Sequence, residues 1–271
     1  MTARQTVRQP AVAGLFYPAD QGELAETVRA HLDLGSALVR REVGARPPKA
    51  IIAPHAGYDY SGPIAGSAFS AWSEAAPDVR RVIVLGPAHR VAFRGLALPG
   101  ASAMATPLGT VAIDGELAER VLELPQVVNH ADAHAQEHSL EVELPFLQLL
   151  FEEFTVLPLV VGDAQSNDVA EVLGAVWGGE ETRIVISSDL SHYLPYEEAR
   201  ASDRSTAEKI LACDHPLGPY DACGAYCVNG LLVAARARGL RCELLDLRNS
   251  GDTAGDRCRV VGYGAFAFYE S

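Results

Sequence analysis

Apolar and polar positions follow two periods along this chain. Near-continuous apolar runs at Ala50–Ala53, Val82–Leu85 (VIVL), Thr155–Val161 and Arg183–Ser187 (RIVIS) predict buried strands. Apolar residues at helical spacing between them predict helices over Pro63–Trp72, Gly115–Leu124, Ser139–Glu153, Ser166–Trp177, Tyr196–Cys213 and Cys223–Arg238. Pro145 either kinks the third of these or marks its first turn. An earlier helix starts at Asp20, an N-cap with Glu23 three residues later in a capping-box pattern. Leu24, Val28 and Leu32 then follow on one face, and Gly35 is the expected stop. Leu96–Leu98 and Gly109–Ile113 read as shorter strands flanking a hairpin. Leu244–Leu247 and Val260–Phe268 close the chain as strands. The glycines of VVGYGAFAFY put the last strand at an edge or in a close-packed position. Buried strands alternating with helices predict an α/β fold, with a mixed, mostly parallel central sheet covered by helices on both faces.

The 271 residues, 48% of them apolar, suffice for one domain spanning residues 1–271. Arg41–Lys49 (REVGARPPK) is the most linker-like stretch, and it is expected to end the first helix rather than to divide two domains. The formal net charge of −13 opposes non-specific binding to nucleic acid and does not select against a metal cation. No apolar run precedes Ala11, so the N-terminus does not read as a signal peptide. No stretch approaches the ~18 to 20 apolar residues of a membrane span. A cytoplasmic protein with no membrane partner is expected.

Five cysteines, Cys213, Cys223, Cys227, Cys242 and Cys258, form no CxxC pair, which argues against a zinc ribbon or a disulfide framework. The candidate chemistry lies with histidine. His55 follows the strand IIA, His89 follows VIVLGPA and His192 follows RIVISSDLS. All three sit just past the carboxyl ends of predicted buried strands, where open parallel sheets bind ligands. Imidazole is a common ligand for zinc, copper and iron, so three at one edge suggest a metal pocket. Asp189, three residues before His192, could orient that imidazole, ligate metal, or form a turn with its own backbone. Cys223 lies at a predicted helix start, where the dipole lowers a thiol pKa and a thiolate could ligate metal. Cys227, one turn on, reads as packing. His130 and His134 read as surface residues of a loop, while Glu137-His138-Ser139 at a helix entry could reach the pocket.

The segments APHAGYDYSG (Ala53–Gly62), LGPAHR (Leu85–Arg90), EHSLEVELPFL (Glu137–Leu147), SSDLSHY (Ser187–Tyr193) and ACGAYC (Ala222–Cys227) resemble the Memo family, also known in prokaryotes as AmmeMemoRadiSam system protein B. The resemblance runs in order from about Arg8 to Tyr269. It implies a fold like the class III extradiol dioxygenases (LigB-like), with a metal pocket at one sheet edge. By motif it implies His55, His89 and Cys223 as metal ligands, and His192 with Asp189 as a catalytic pair facing the metal. His138 and Tyr58 are implied as substrate-side residues, Tyr58 at the entrance. Fe(2+) is the implied metal, with Cu or Zn as alternatives, because a thiolate replaces the carboxylate of the usual non-haem iron triad. The family association further implies radical-SAM and AMMECR-domain proteins as functional partners.

Three activities are compatible with these residues. The first is a metal-dependent oxidoreductase, dioxygenase-like, acting on a small molecule. The second is a hydrolase with Cys223 as nucleophile, His192 as base and Asp189 as orienter. The third is a non-catalytic module that binds a peptide or protein in the same pocket.

Overall fold

A computed structural model describes residues 6–39, 46–75 and 78–270. Residues 41–45 of the linker-like stretch and the first five residues lie outside the described residues. The main sheet has nine strands. Its middle is parallel: Ala50–Ala53, Thr182–Ser187, Arg81–Pro87 and Thr155–Val161 lie side by side in that order. Antiparallel strands extend it on both sides. Val260–Tyr269 pairs with Ala50–Ala53 and also with Arg241–Asn249 and His192–Leu194. At the other side Leu96–Leu98 runs antiparallel to Thr155–Val161 and parallel to Val127–Asn129. The last strand is therefore close-packed, not an edge.

Alternation within the central strands divides the core into two layers. Ile52, Ile83, Leu85, Leu157, Ile184 and Ile186 face the helices Ser166–Ala175 and Ala225–Arg238. Ile51, Val82, Val84, Val156 and Val185 face the helices Gln21–Leu38, Tyr58–Phe69 and Leu144–Leu150. Both faces are covered, which is why these strands show no polar face in the sequence. Among the described residues no helix is long and apolar enough to cross a membrane.

Several elements differ from the sequence reading. Asp20 does cap the first helix, its Oδ1 accepting from Gly22 N (2.9 Å) and Glu23 N (3.0 Å). Gly35, however, is not its stop. It lies inside Gln21–Leu38, where an added Cβ would stand 2.3 Å from the Gly66 carbonyl oxygen. A Cβ on Gly66 would stand 2.2 Å from the His31 carbonyl oxygen. The two helices therefore touch backbone to backbone through glycine. In an open helix Gly→Ala gains about 1 kcal/mol; here the clash reverses the sign. Gly66→Ala is expected to destabilise the protein by about 1–3 kcal/mol, read as a lower urea midpoint at unchanged slope.

The second helix begins at Tyr58, earlier than Pro63, and ends in a 3-10 turn over Ser70–Ala75. Pro145 stands in the first turn of the short helix Leu144–Leu150, after a 3-10 turn at Glu141–Glu143. Gly109–Ala112 pairs with Ala103–Thr106, not with Leu96–Leu98, in a separate three-stranded sheet that includes Val7–Arg8.

Candidate metal centre

Three neighbouring parallel strands, Ala50–Ala53, Thr182–Ser187 and Arg81–Pro87, deliver His55, the Ser187–His192 loop and His89 to one edge of the sheet. The loop Glu137–Glu143 crosses above this edge. Ser139 Oγ donates to the Pro87 carbonyl at 2.9 Å. Gly86 permits that approach, since a Cβ there would stand 2.7 Å from Ser139 Oγ. This crossing brings in His138. One ring nitrogen from each of His55, His89 and His138 lies within 4.8 Å of the others. The His89 and His138 rings stack at 4.8 Å, and both meet the His55 ring edge-on.

Each of the first two imidazoles is held by its far nitrogen. His89 Nδ1 donates to Glu137 Oε1 at 2.9 Å, and His89 N–H donates to Glu137 Oε2 at 2.6 Å. His138 and Ser139 backbone N–H groups donate to the same carboxylate, each at 2.9 Å. Burial would raise the Glu137 pKa, but the His89 ring and these N–H donors outweigh it and hold the carboxyl well below its usual range. The ionised Glu137 fixes a proton on His89 Nδ1, so Nε2 is the nitrogen turned away from that support. Likewise His55 Nδ1 bonds Ser187 Oγ at 2.7 Å. Burial first, then the neighbouring His89 and His138 rings, push the His55 pKa well below its ordinary value. Burial also lowers His138 to about 4, although Glu137 opposes the shift. His55 and His138 are thus neutral at physiological pH. His138 Nδ1 is buried 3.3 Å from Glu137 Oε1, at ion-pair distance but not aligned as a hydrogen bond.

Cys223 lies beside His55 but outside the three-nitrogen cluster, its Sγ 3.3 Å from His55 Nε2. It accepts from the Asp189 N–H at 3.3 Å. The expected dipole effect on this thiol is overridden. Burial, aided by the Asp189 charge, pushes its pKa far up, so it is a thiol that can donate to His55 Nε2. A protonated thiol is a weaker nucleophile than a thiolate, which weighs against the Cys-His-Asp hydrolase.

Asp189 is buried, and burial raises its pKa to about 6. Its Oδ1 accepts the His55 backbone N–H at 2.9 Å, so it orients the His55 turn. The His192 ring is instead oriented by the Leu190 carbonyl, 2.9 Å from Nδ1, which leaves Nε2 free. His192 is exposed and stands outside the three-nitrogen cluster. Tyr58 is not at an entrance: it is buried against Tyr17 and Phe146, and its hydroxyl donates to the Val142 carbonyl at 2.7 Å. His134 is not on the surface either; it is buried, with Nε2 donating to the Ala97 carbonyl at 2.7 Å. Cys227 packs in the core as expected. Sequence reasoning brings Glu137 to the pocket only as part of the Glu137-His138-Ser139 entry and misses its role behind His89; Ser187 and Glu143 it misses altogether. All three fall inside the segments that carry the family resemblance, but nothing local marks them as supports for imidazoles.

The Memo-like protein family model matches residues 8–267. A "MEMO1 family protein" of Aquifex aeolicus is 39% identical, covering 97% of this chain and 99% of its own length. "MEMO1 family protein MTH_45" of Methanothermobacter thermautotrophicus is 35% identical over 95% of this chain and 98% of its own. "MEMO1 family protein MK0963" of Methanopyrus kandleri is 36% identical, with 96% and 98% covered. With a family model over nearly its whole length and relatives matched end to end, this chain belongs to the Memo family.

Proposed function

We propose that the chain is a metal-dependent redox enzyme related to the class III extradiol dioxygenases, with Fe(2+) held by His55, His89 and Cys223 and with Cu or Zn as competing ions. The observation that carries the metal reading is the convergence of three imidazole nitrogens within 4.8 Å at the carboxyl edge of a parallel sheet, two of them from the proposed ligands His55 and His89. The donor set fits a metal. His55 and His89 each have a partner on Nδ1 and a bare Nε2, the arrangement found behind ligating histidines. Cys223 Sγ lies beside one of those nitrogens and offers a soft donor once its proton leaves. His138 Nδ1 meets Glu137 Oε1 at 3.3 Å without hydrogen-bond alignment, a looser support than those behind His55 and His89, which suits it to face a substrate rather than to ligate.

A bound iron(II) would supply a redox-active centre with open positions for oxygen and a small substrate. The chain's own residues do the rest. His192, with Nδ1–H tied to Leu190, can take up a substrate proton at Nε2. Asp189 keeps His55 in place through its backbone. Phe16, whose ring meets His138 edge-on at 4.8 Å, adds an apolar wall beside the site. Association with radical-SAM and AMMECR-domain proteins belongs to this same proposal.

Oxygen uptake tests the activity. Protein reconstituted anaerobically with Fe(2+) and then mixed with catechols and other small substrates is expected to consume oxygen only with a substrate present. His192→Gln is expected to lower that rate by about 10²–10⁴-fold, the usual contribution of a general base. Partner capture with no turnover of any substrate would favour a binding module instead.

A further inference from the structure

The mechanism above does not use Glu143, yet this acid sits directly behind the His55 support. Its side chain is fully buried. Oε1 is 2.7 Å from Ser187 Oγ, and Oε2 has no partner. The charged group acting on it is another carboxylate, Asp189.

Ser187 Oγ has three polar contacts: the Ser139 carbonyl at 2.6 Å, Glu143 Oε1 at 2.7 Å and His55 Nδ1 at 2.7 Å. A hydroxyl has one proton and two lone pairs. A backbone carbonyl can only accept, so the Ser187 proton goes to Ser139. The other two neighbours must then donate. One donor is His55 Nδ1–H, and the other is a protonated Glu143. If Ser187 instead gave its proton to a Glu143 carboxylate, two bare oxygens would face each other at 2.6 Å across Ser187 and Ser139. The carboxylate would also be left in a sealed site with one donor and no cation.

We propose that Glu143 is a neutral carboxylic acid at neutral pH that donates to Ser187 Oγ and, through Ser187, holds His55 in its Nδ1–H tautomer. Glu143 is thus a positioning residue: it acts on the centre only by deciding which His55 nitrogen presents a lone pair. The inference rests on the metal reading only for its consequence, that Nε2 is a ligand. The tautomer and the protonation state stand without a metal.

Two measurements on metal-free protein at pH 7 test it. Infrared spectra are expected to show a neutral-carboxyl C=O band that disappears in Glu143→Gln. Side-chain 15N NMR is expected to show His55 with a protonated Nδ1 and an unprotonated Nε2. The amide of Glu143→Gln can still donate to Ser187, so this variant is expected to keep that tautomer and to bind Co(2+) within about threefold of wild type. Glu143→Leu and Ser187→Ala are expected to give a mixture of tautomers and about 10- to 100-fold weaker Co(2+) binding. The proposal is overturned by a missing neutral-carboxyl band, by an unprotonated His55 Nδ1, or by Glu143→Gln behaving like Glu143→Leu. A protein with the band and the tautomer that takes up no metal would uphold this inference and refute the metal reading alone.

Discussion

Glu141→Ala is expected to destabilise the protein by about 3–5 kcal/mol, the cost of breaking a buried ion pair from one side. Glu141 is sealed from solvent and pairs with Arg8, itself buried. The same carboxylate accepts from Ala11 N (2.7 Å), Val12 N (3.0 Å) and the Tyr17 hydroxyl (2.5 Å). Removing it orphans a guanidinium, two backbone donors and a phenol at once. Arg8 also donates to the His134 carbonyl at 2.9 Å and to the Glu137 carbonyl. The loop that carries Glu137 and His138 is therefore clamped by the N-terminal segment, and the variant should loosen the centre as well as the fold. Urea unfolding gives the cost. A loss below about 1 kcal/mol, the range of an exposed pair, would show that the network is not a structural unit.

His89→Ala is expected to weaken Co(2+) binding by more than about 100-fold, exceeding the 10- to 100-fold effect typical of a supporting residue. Its side chain is 28% exposed, so little packing is lost and the melting temperature should move little. Cys223→Ser should bind more weakly and lose the thiolate-to-cobalt charge-transfer absorption. His138→Ala should keep that absorption, because its ring is held only loosely, with Nδ1 3.3 Å from Glu137 Oε1 and no hydrogen-bond alignment. Equal metal loss in His138→Ala and His89→Ala would make the cluster a three-imidazole site and remove Cys223 from it.

Much of this architecture was readable from periodicity, and the exceptions have a common cause. Apolar runs located the four central parallel strands, and the strand ends located His55 and His89, because both signals are local in sequence. The close helix contact at Gly35 and Gly66 was hidden because a glycine that admits a neighbouring backbone looks the same as one that ends a helix. His138 joins the cluster beside Glu137, which reaches His89 from 48 residues further along the chain. Glu143 reaches Ser187 across 44 residues. Such contacts carry no periodic signature. At Cys223 the helix start predicts a lowered thiol pKa, whereas burial, with the Asp189 charge beside it, pushes that pKa up. Asp189 lies in the expected crevice and accepts the His55 N–H, a bond that depends on how two adjacent strand ends meet and so leaves no mark in the local sequence.

Elemental analysis of protein purified without oxygen, in wild type and in His55→Ala, bears most directly on the metal centre. About one equivalent of bound metal per chain is expected in wild type, either as isolated or after Fe(2+) reconstitution, with His55→Ala folded and essentially metal-free. A folded wild-type protein that retains no iron, copper or zinc after reconstitution would contradict it.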